Sequence, residues 1–73
     1  MTIKLVYGRD SITKTFDSEE VTLSELATKA NLTFLGAPAD SIRFTLNGDV
    51  VDSEMLLEDE MVIYVEQQPH GKA

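Results

Sequence analysis

Apolar and polar positions alternate in four stretches of this chain, and in one further stretch they follow a helical rhythm. In Thr2-Ile3-Lys4-Leu5-Val6-Tyr7, residues Ile3, Leu5 and Tyr7 fall on one side, which is strand period. Gly8-Arg9-Asp10-Ser11 reads as a turn. From Ser11 to Asp17 the alternation resumes, with Ile12 and Phe16 on one side and Thr13 and Thr15 on the other. Lys14 interrupts the apolar side, as in an edge strand whose lysine stem snorkels. Two strands about a short turn predict a hairpin. Ser41 to Asn47 alternates with Ile42, Phe44 and Leu46 on one side and Arg43 and Thr45 on the other. Asn47-Gly48 then supplies two residues that tolerate the positive φ of a type I′ turn, so Val50-Val51 is a short return strand. Met61 to Glu66 is the last strand, and Leu56 and Leu57 before it are both candidates for burial.

The helical rhythm lies between the two hairpins. Thr22-Leu23-Ser24-Glu25 has capping-box spacing, and Val21 with Leu26 has that of a hydrophobic staple. Leu23, Leu26, Ala27 and Ala30 follow the i, i+3, i+4, i+7 rule. The pattern predicts one helix over 23–30, with Asn31 as a left-handed C-cap. Leu32 to Asp40, with Gly36 and Pro38 as breakers, is expected to be irregular. One helix can cover only one face of the sheet, so the chain is expected to be α+β.

At 73 residues the chain is one small domain with a thin core. The domain is expected over 1–66, with a polar tail over 67–73. There is no cysteine, which excludes disulfides and thiolate chemistry, and the single histidine, His70, excludes most zinc sites and nucleophilic triads. The net charge of −7 opposes binding to nucleic-acid phosphates or to an anionic membrane. The charge is uneven: residues 40–66 hold eight acids against Arg43, whereas 1–16 hold Lys4, Arg9 and Lys14 against Asp10. Such an acidic region can steer toward a basic partner, and it also suffices to keep a small domain in solution. The N-terminus has no long apolar region and no stretch approaches ~20 apolar residues, so the expected location is cytoplasmic.

The order of elements, strand-strand-helix-strand-short strand-strand, resembles the β-grasp or ubiquitin-like fold. Three segments carry the resemblance: Val21-Thr22-Leu23-Ser24-Glu25-Leu26 at the helix start, Phe44-Thr45-Leu46-Asn47-Gly48-Asp49-Val50-Val51 at the second hairpin, and Leu56-Leu57-Glu58-Asp59-Glu60-Met61-Val62 leading into the last strand. The resemblance is closest to the sulfur-carrier branch, which comprises the thiamine-biosynthesis sulfur carrier and the small subunit of molybdopterin synthase. It implies a mixed sheet of four to five strands, the first and last at its centre, with one helix packed on one face. It also implies a C-terminal carboxylate that an adenylating enzyme activates and converts to a thiocarboxylate. Two departures stand out. Glu58-Asp59-Glu60 replaces the family's usual Asp-Gly-Asp, and the chain ends Pro69-His70-Gly71-Lys72-Ala73 where carriers end in Gly-Gly. Either Lys72-Ala73 is removed to leave Gly71 terminal, with His70 before it, or the fold persists without the carrier role.

His70 reads as an ordinary tail histidine, since a metal needs several converging ligands. The acidic residues around Glu58-Asp59-Glu60 lack the calcium-loop pattern of an EF-hand. No P-loop, G-x-G-x-x-G or G-x-S-x-G is present, so no catalytic residues, metal or cofactor are expected. The sheet face away from the helix is expected to carry Lys4, Val6, Thr13, Thr15, Arg43, Thr45, Val62 and Tyr64. Apolar Val6, Val62 and Tyr64, rimmed by Lys4 and Arg43 and accompanied by Thr45, have the composition of a protein-binding surface. The first expectation is therefore a non-catalytic interaction module for a protein partner. The alternatives are a carrier or modifier activated at Gly71, whose partner is an adenylating enzyme, and an acidic inhibitor that mimics nucleic acid.

Overall fold

A computed structural model of the chain describes residues 1–38 and 41–67. The elements are β1 (Thr2–Tyr7), β2 (Asp10–Thr15), α1 (Leu23–Leu26), α2 (Lys29–Leu35), β3 (Ile42–Leu46), β4 (Asp49–Val51) and β5 (Val62–Gln67). The five strands form one mixed sheet in the order β2-β1-β5-β3-β4. The chain is thus α+β. β1 and β5 run parallel in the interior of the sheet, and the other neighbouring pairs are antiparallel. β5 extends through Gln67, one residue into the expected tail.

Both hairpins form where the alternation places them. Tyr7 faces Asp10 across Gly8-Arg9, and Leu46 faces Asp49 across Asn47-Gly48. Asn47 at φ 54° and Gly48 at φ 88° take the two positive-φ positions that a type I′ turn requires, and asparagine and glycine accept them at least cost.

The single helix over 23–30 is not what forms. α1 ends after Leu26, Ala27 and Thr28 leave helical geometry, and α2 runs through residues expected to be irregular. Helix phase explains the break. Leu23 and Leu32 would lie about half a turn out of phase on one continuous helix, yet both are buried. Two short helices separated at Ala27 and Thr28 bury Leu23 and Leu26 from one and Leu32 and Leu35 from the other, leaving Ala30 exposed. Asn31 is not a C-cap but lies within α2 and joins the two helices. Its backbone N–H donates to the Thr28 hydroxyl at 3.2 Å, and its side-chain amide donates to the Leu26 carbonyl at 2.6 Å. The first bond caps the start of α2, and the second satisfies an orphan carbonyl at the end of α1.

The C-terminus of α2 is a Schellman motif. Gly36 sits at φ 78°, its N–H reaches the Thr33 carbonyl, and the Ala37 N–H reaches the Leu32 carbonyl at 2.9 Å. The expected capping box at the start of α1 does not form: the Glu25 N–H donates to the Thr22 backbone carbonyl at 3.0 Å rather than to its hydroxyl. The Leu23 and Ser24 N–H groups bond the carbonyls of Met55 and Ser53, at 2.9 and 2.8 Å. The Thr22 hydroxyl pairs with that of Ser24 instead. Backbone carbonyls of the 53–57 loop thus meet two of the orphan N–H groups in the first turn of α1.

The core lies between one sheet face and the two helices. Ile3, Leu5, Ile63 and Val65 meet Leu23, Leu26, Leu32, Leu35 and Ala37, with Val21 and Leu57 closing the end. Leu57 is buried, but Leu56 is 58% exposed, so only one of the two candidates enters the core. Isolated helices of such length are marginal in water, and this apolar contact supplies most of their stability.

Candidate functional site on the uncovered sheet face

Strand register fixes which side chains share the face opposite the helices. Val6 faces Tyr64, Tyr64 faces Thr45, and Thr45 faces Val50. These four positions form a row across β1, β5, β3 and β4. Beside it Lys4 faces Val62, and on the other side Arg43 faces Glu66. The six residues expected to form a binding surface, Lys4, Val6, Arg43, Thr45, Val62 and Tyr64, therefore share one face, and Thr13, opposite Lys4, and Thr15 lie on it too. No described helix or strand packs over it.

Within the face, exposure divides these residues. Tyr64 is 47% exposed and Val50 63%, while Val6 and Val62 are half-buried between their neighbours. Thr45 corrects the expectation: only 5% of it is exposed, so it offers little contact area. Its hydroxyl donates to Glu66 Oε2 at 3.3 Å. Arg43 is also not a free rim cation. Its Nε donates to Glu66 Oε1 at 3.2 Å, and its terminal nitrogen lies 3.2 Å from the same oxygen. Glu66 thus ties Arg43 and Thr45 into one polar border along β3 and β5. Both charged side chains are more than two-fifths exposed, so the ion pair contributes ~0–1 kcal/mol. Lys4 remains on the opposite border, between Thr13 and Val62.

One end of the face is hollowed. Leu46, Asn47, Gly48, Glu60, Met61, Val62 and Tyr64 surround an open depression of about 580 Å³. Glu60 holds φ 66° there, a left-handed conformation that costs a non-glycine residue ~1–2 kcal/mol. Its N–H bonds the Thr2 carbonyl at 2.8 Å, which anchors the turn into β5.

Sequence reasoning missed Val50 and Glu66. Both were legible: the two-residue turn sets Val50 opposite Thr45, and Glu66 follows Tyr64 at strand period. His70 and Gly71, the expected activated terminus, lie outside the described residues. Among the described residues, no three His, Asp or Glu side chains converge as metal ligands. No described helix is long and apolar enough to cross a membrane.

Compared with protein-family models and with curated proteins, the chain matches none.

Proposed function

We propose that this chain is a small non-catalytic interaction module of β-grasp architecture that binds a protein partner through the uncovered sheet face. The observation that carries this reading is the row Val6–Tyr64–Thr45–Val50, in which Val6, Tyr64 and Val50 set apolar and aromatic surface on β1, β5 and β4 with no described element over it. Apolar surface with a central aromatic and a charged border is what a protein interface uses. The strand order supports the β-grasp reading: the first and last strands run parallel inside the sheet, and a hairpin strand lies at each edge.

The same order favours one second reading. β5, an interior strand, leads directly into the C-terminal residues, as a carrier activated at a processed Gly71 requires. The intact mass of untagged protein from its own cells separates the two. Loss of Lys72-Ala73, with one oxygen exchanged for sulfur, establishes the carrier; a full-length unmodified mass rules it out.

The interaction reading is tested by placing a photoreactive side chain at position 64 and, as a control, at position 33 on the exposed side of α2. A discrete adduct from position 64, absent at 33 and lost on adding Val6→Asp, is expected. Adducts only from position 33 would put the interface elsewhere.

A further inference from the structure

The edge strand β2 has backbone groups of two kinds. The Met1 ammonium donates to the Phe16 carbonyl at 2.7 Å, and the Phe16 N–H donates to the Met1 carbonyl at 2.8 Å. Such mutually bonded pairs recur at every second residue of an antiparallel ladder. Asp10, Ile12 and Lys14 are therefore bonded to Tyr7, Leu5 and Ile3. The N–H and C=O groups of Ser11, Thr13 and Thr15 point the other way, along an edge that no described strand occupies. Six residues of such edge are a template for another strand. The opposite edge, β4, has only three.

The side chains of Ile12 and Lys14 lie on the helix side of the sheet. With Ala30, Asn31 and Phe34 of α2 they line an open hollow of about 470 Å³. Phe34 is 77% exposed, the most of any large apolar residue described.

We propose that β2 is a homodimerisation edge, on which a second copy of this chain pairs antiparallel about a two-fold axis at Ile12. The backbone restricts the choice of axis, because only Ser11, Thr13 and Thr15 can bond outward. An axis at Thr13 would set Lys14 against the partner's Ile12, and an axis at Lys14 would set two lysines together. An axis at Ser11 would set Asp10 against the partner's Ile12. The axis at Ile12 alone pairs Asp10 with the partner's Lys14, twice by symmetry, while Ser11 bonds the partner's Thr13. Ile12 then meets its own copy, and Phe34 of each subunit flanks that contact. Asp10 and the partner's Lys14 form a non-hydrogen-bonded pair, the type in which side chains approach most closely. This local complementarity argues for a copy of the chain rather than an unrelated peptide. A lysine on an edge strand can instead act as a guard against pairing, and the charge variants below separate these roles.

The test is sedimentation equilibrium of the full chain from about 10 μM to about 1 mM, with residue-resolved amide exchange across the same range. The mass should rise toward that of a dimer, with exchange slowing at Ser11 and Thr13 and unchanged at Ile12, which β1 already protects. Lys14→Asp should weaken the dimer at least about tenfold. Adding Asp10→Lys to it should restore pairing. A monomer throughout the range overturns the proposal. So does a dimer indifferent to Lys14→Asp, or one that the added Asp10→Lys fails to rescue. Stronger association on Lys14→Asp would make the lysine a guard. Amide exchange on the unsubstituted chain decides independently should either variant fail to fold.

Discussion

The two faces of the sheet are built from the same strands, yet they differ in cover and in polarity. On one face Ile3, Leu5, Ile63 and Val65 are almost wholly buried beneath α1 and α2. On the other, Val6, Val62, Tyr64 and Val50 are partly or largely open. Valine and tyrosine suit a strand on either face, so residue type alone does not decide that these apolar residues stay open. Helix supply does: among the described residues, eleven helical residues cover one face and none covers the other. The covered face holds the fold together, and the open face is the one proposed to meet a partner.

Substitution should break this comparison unequally. Leu26→Ala or Ile63→Ala should cost ~2–5 kcal/mol. A domain this size has a net stability of only ~3–5 kcal/mol, so denaturant melts should find these variants largely unfolded. Tyr64→Ala on the open face should move the midpoint little, within ~0.5 kcal/mol. Equal losses on the two faces would show that the open face also has a structural role.

Smaller effects sharpen the picture of how the covering helices are held. Thr28→Ala removes the side-chain cap of α2 and should cost ~1 kcal/mol in a urea titration. Glu60→Gly relieves the left-handed residue beside the hollow and should stabilise by up to ~1 kcal/mol, the only gain in this series. Glu66→Ala severs its bonds to Arg43 and Thr45 and should cost under ~1 kcal/mol, since the ion pair is exposed. It should matter more for binding, by releasing Arg43.

Much of this was legible in the sequence, for local reasons. Period-2 alternation sets strand faces, and Asn47-Gly48 sets a register that propagates to Val50. The helical region was not legible in the same way. Thr28 and Asn31 each have several roles open to them, and the actual ones depend on the Leu26 carbonyl being orphaned nearby. The carbonyls that meet the Leu23 and Ser24 N–H groups come from Met55 and Ser53, which are distant in sequence, so the way the first turn of α1 is held has a tertiary component. Thr45 alternates correctly, but its burial depends on Glu66 and Tyr64 of a neighbouring strand. Period gives direction, whereas packing decides exposure.

The most direct test of the open face compares partner binding by the unsubstituted chain, by Val6→Asp/Tyr64→Ala and by Phe34→Ala, each first shown to be folded by its amide spectrum. A partner recovered by cross-linking at position 64 should lose at least about tenfold in affinity for the double variant, as expected when central interface side chains are removed. It should bind Phe34→Ala normally. Undiminished binding by a folded Val6→Asp/Tyr64→Ala chain would contradict the account.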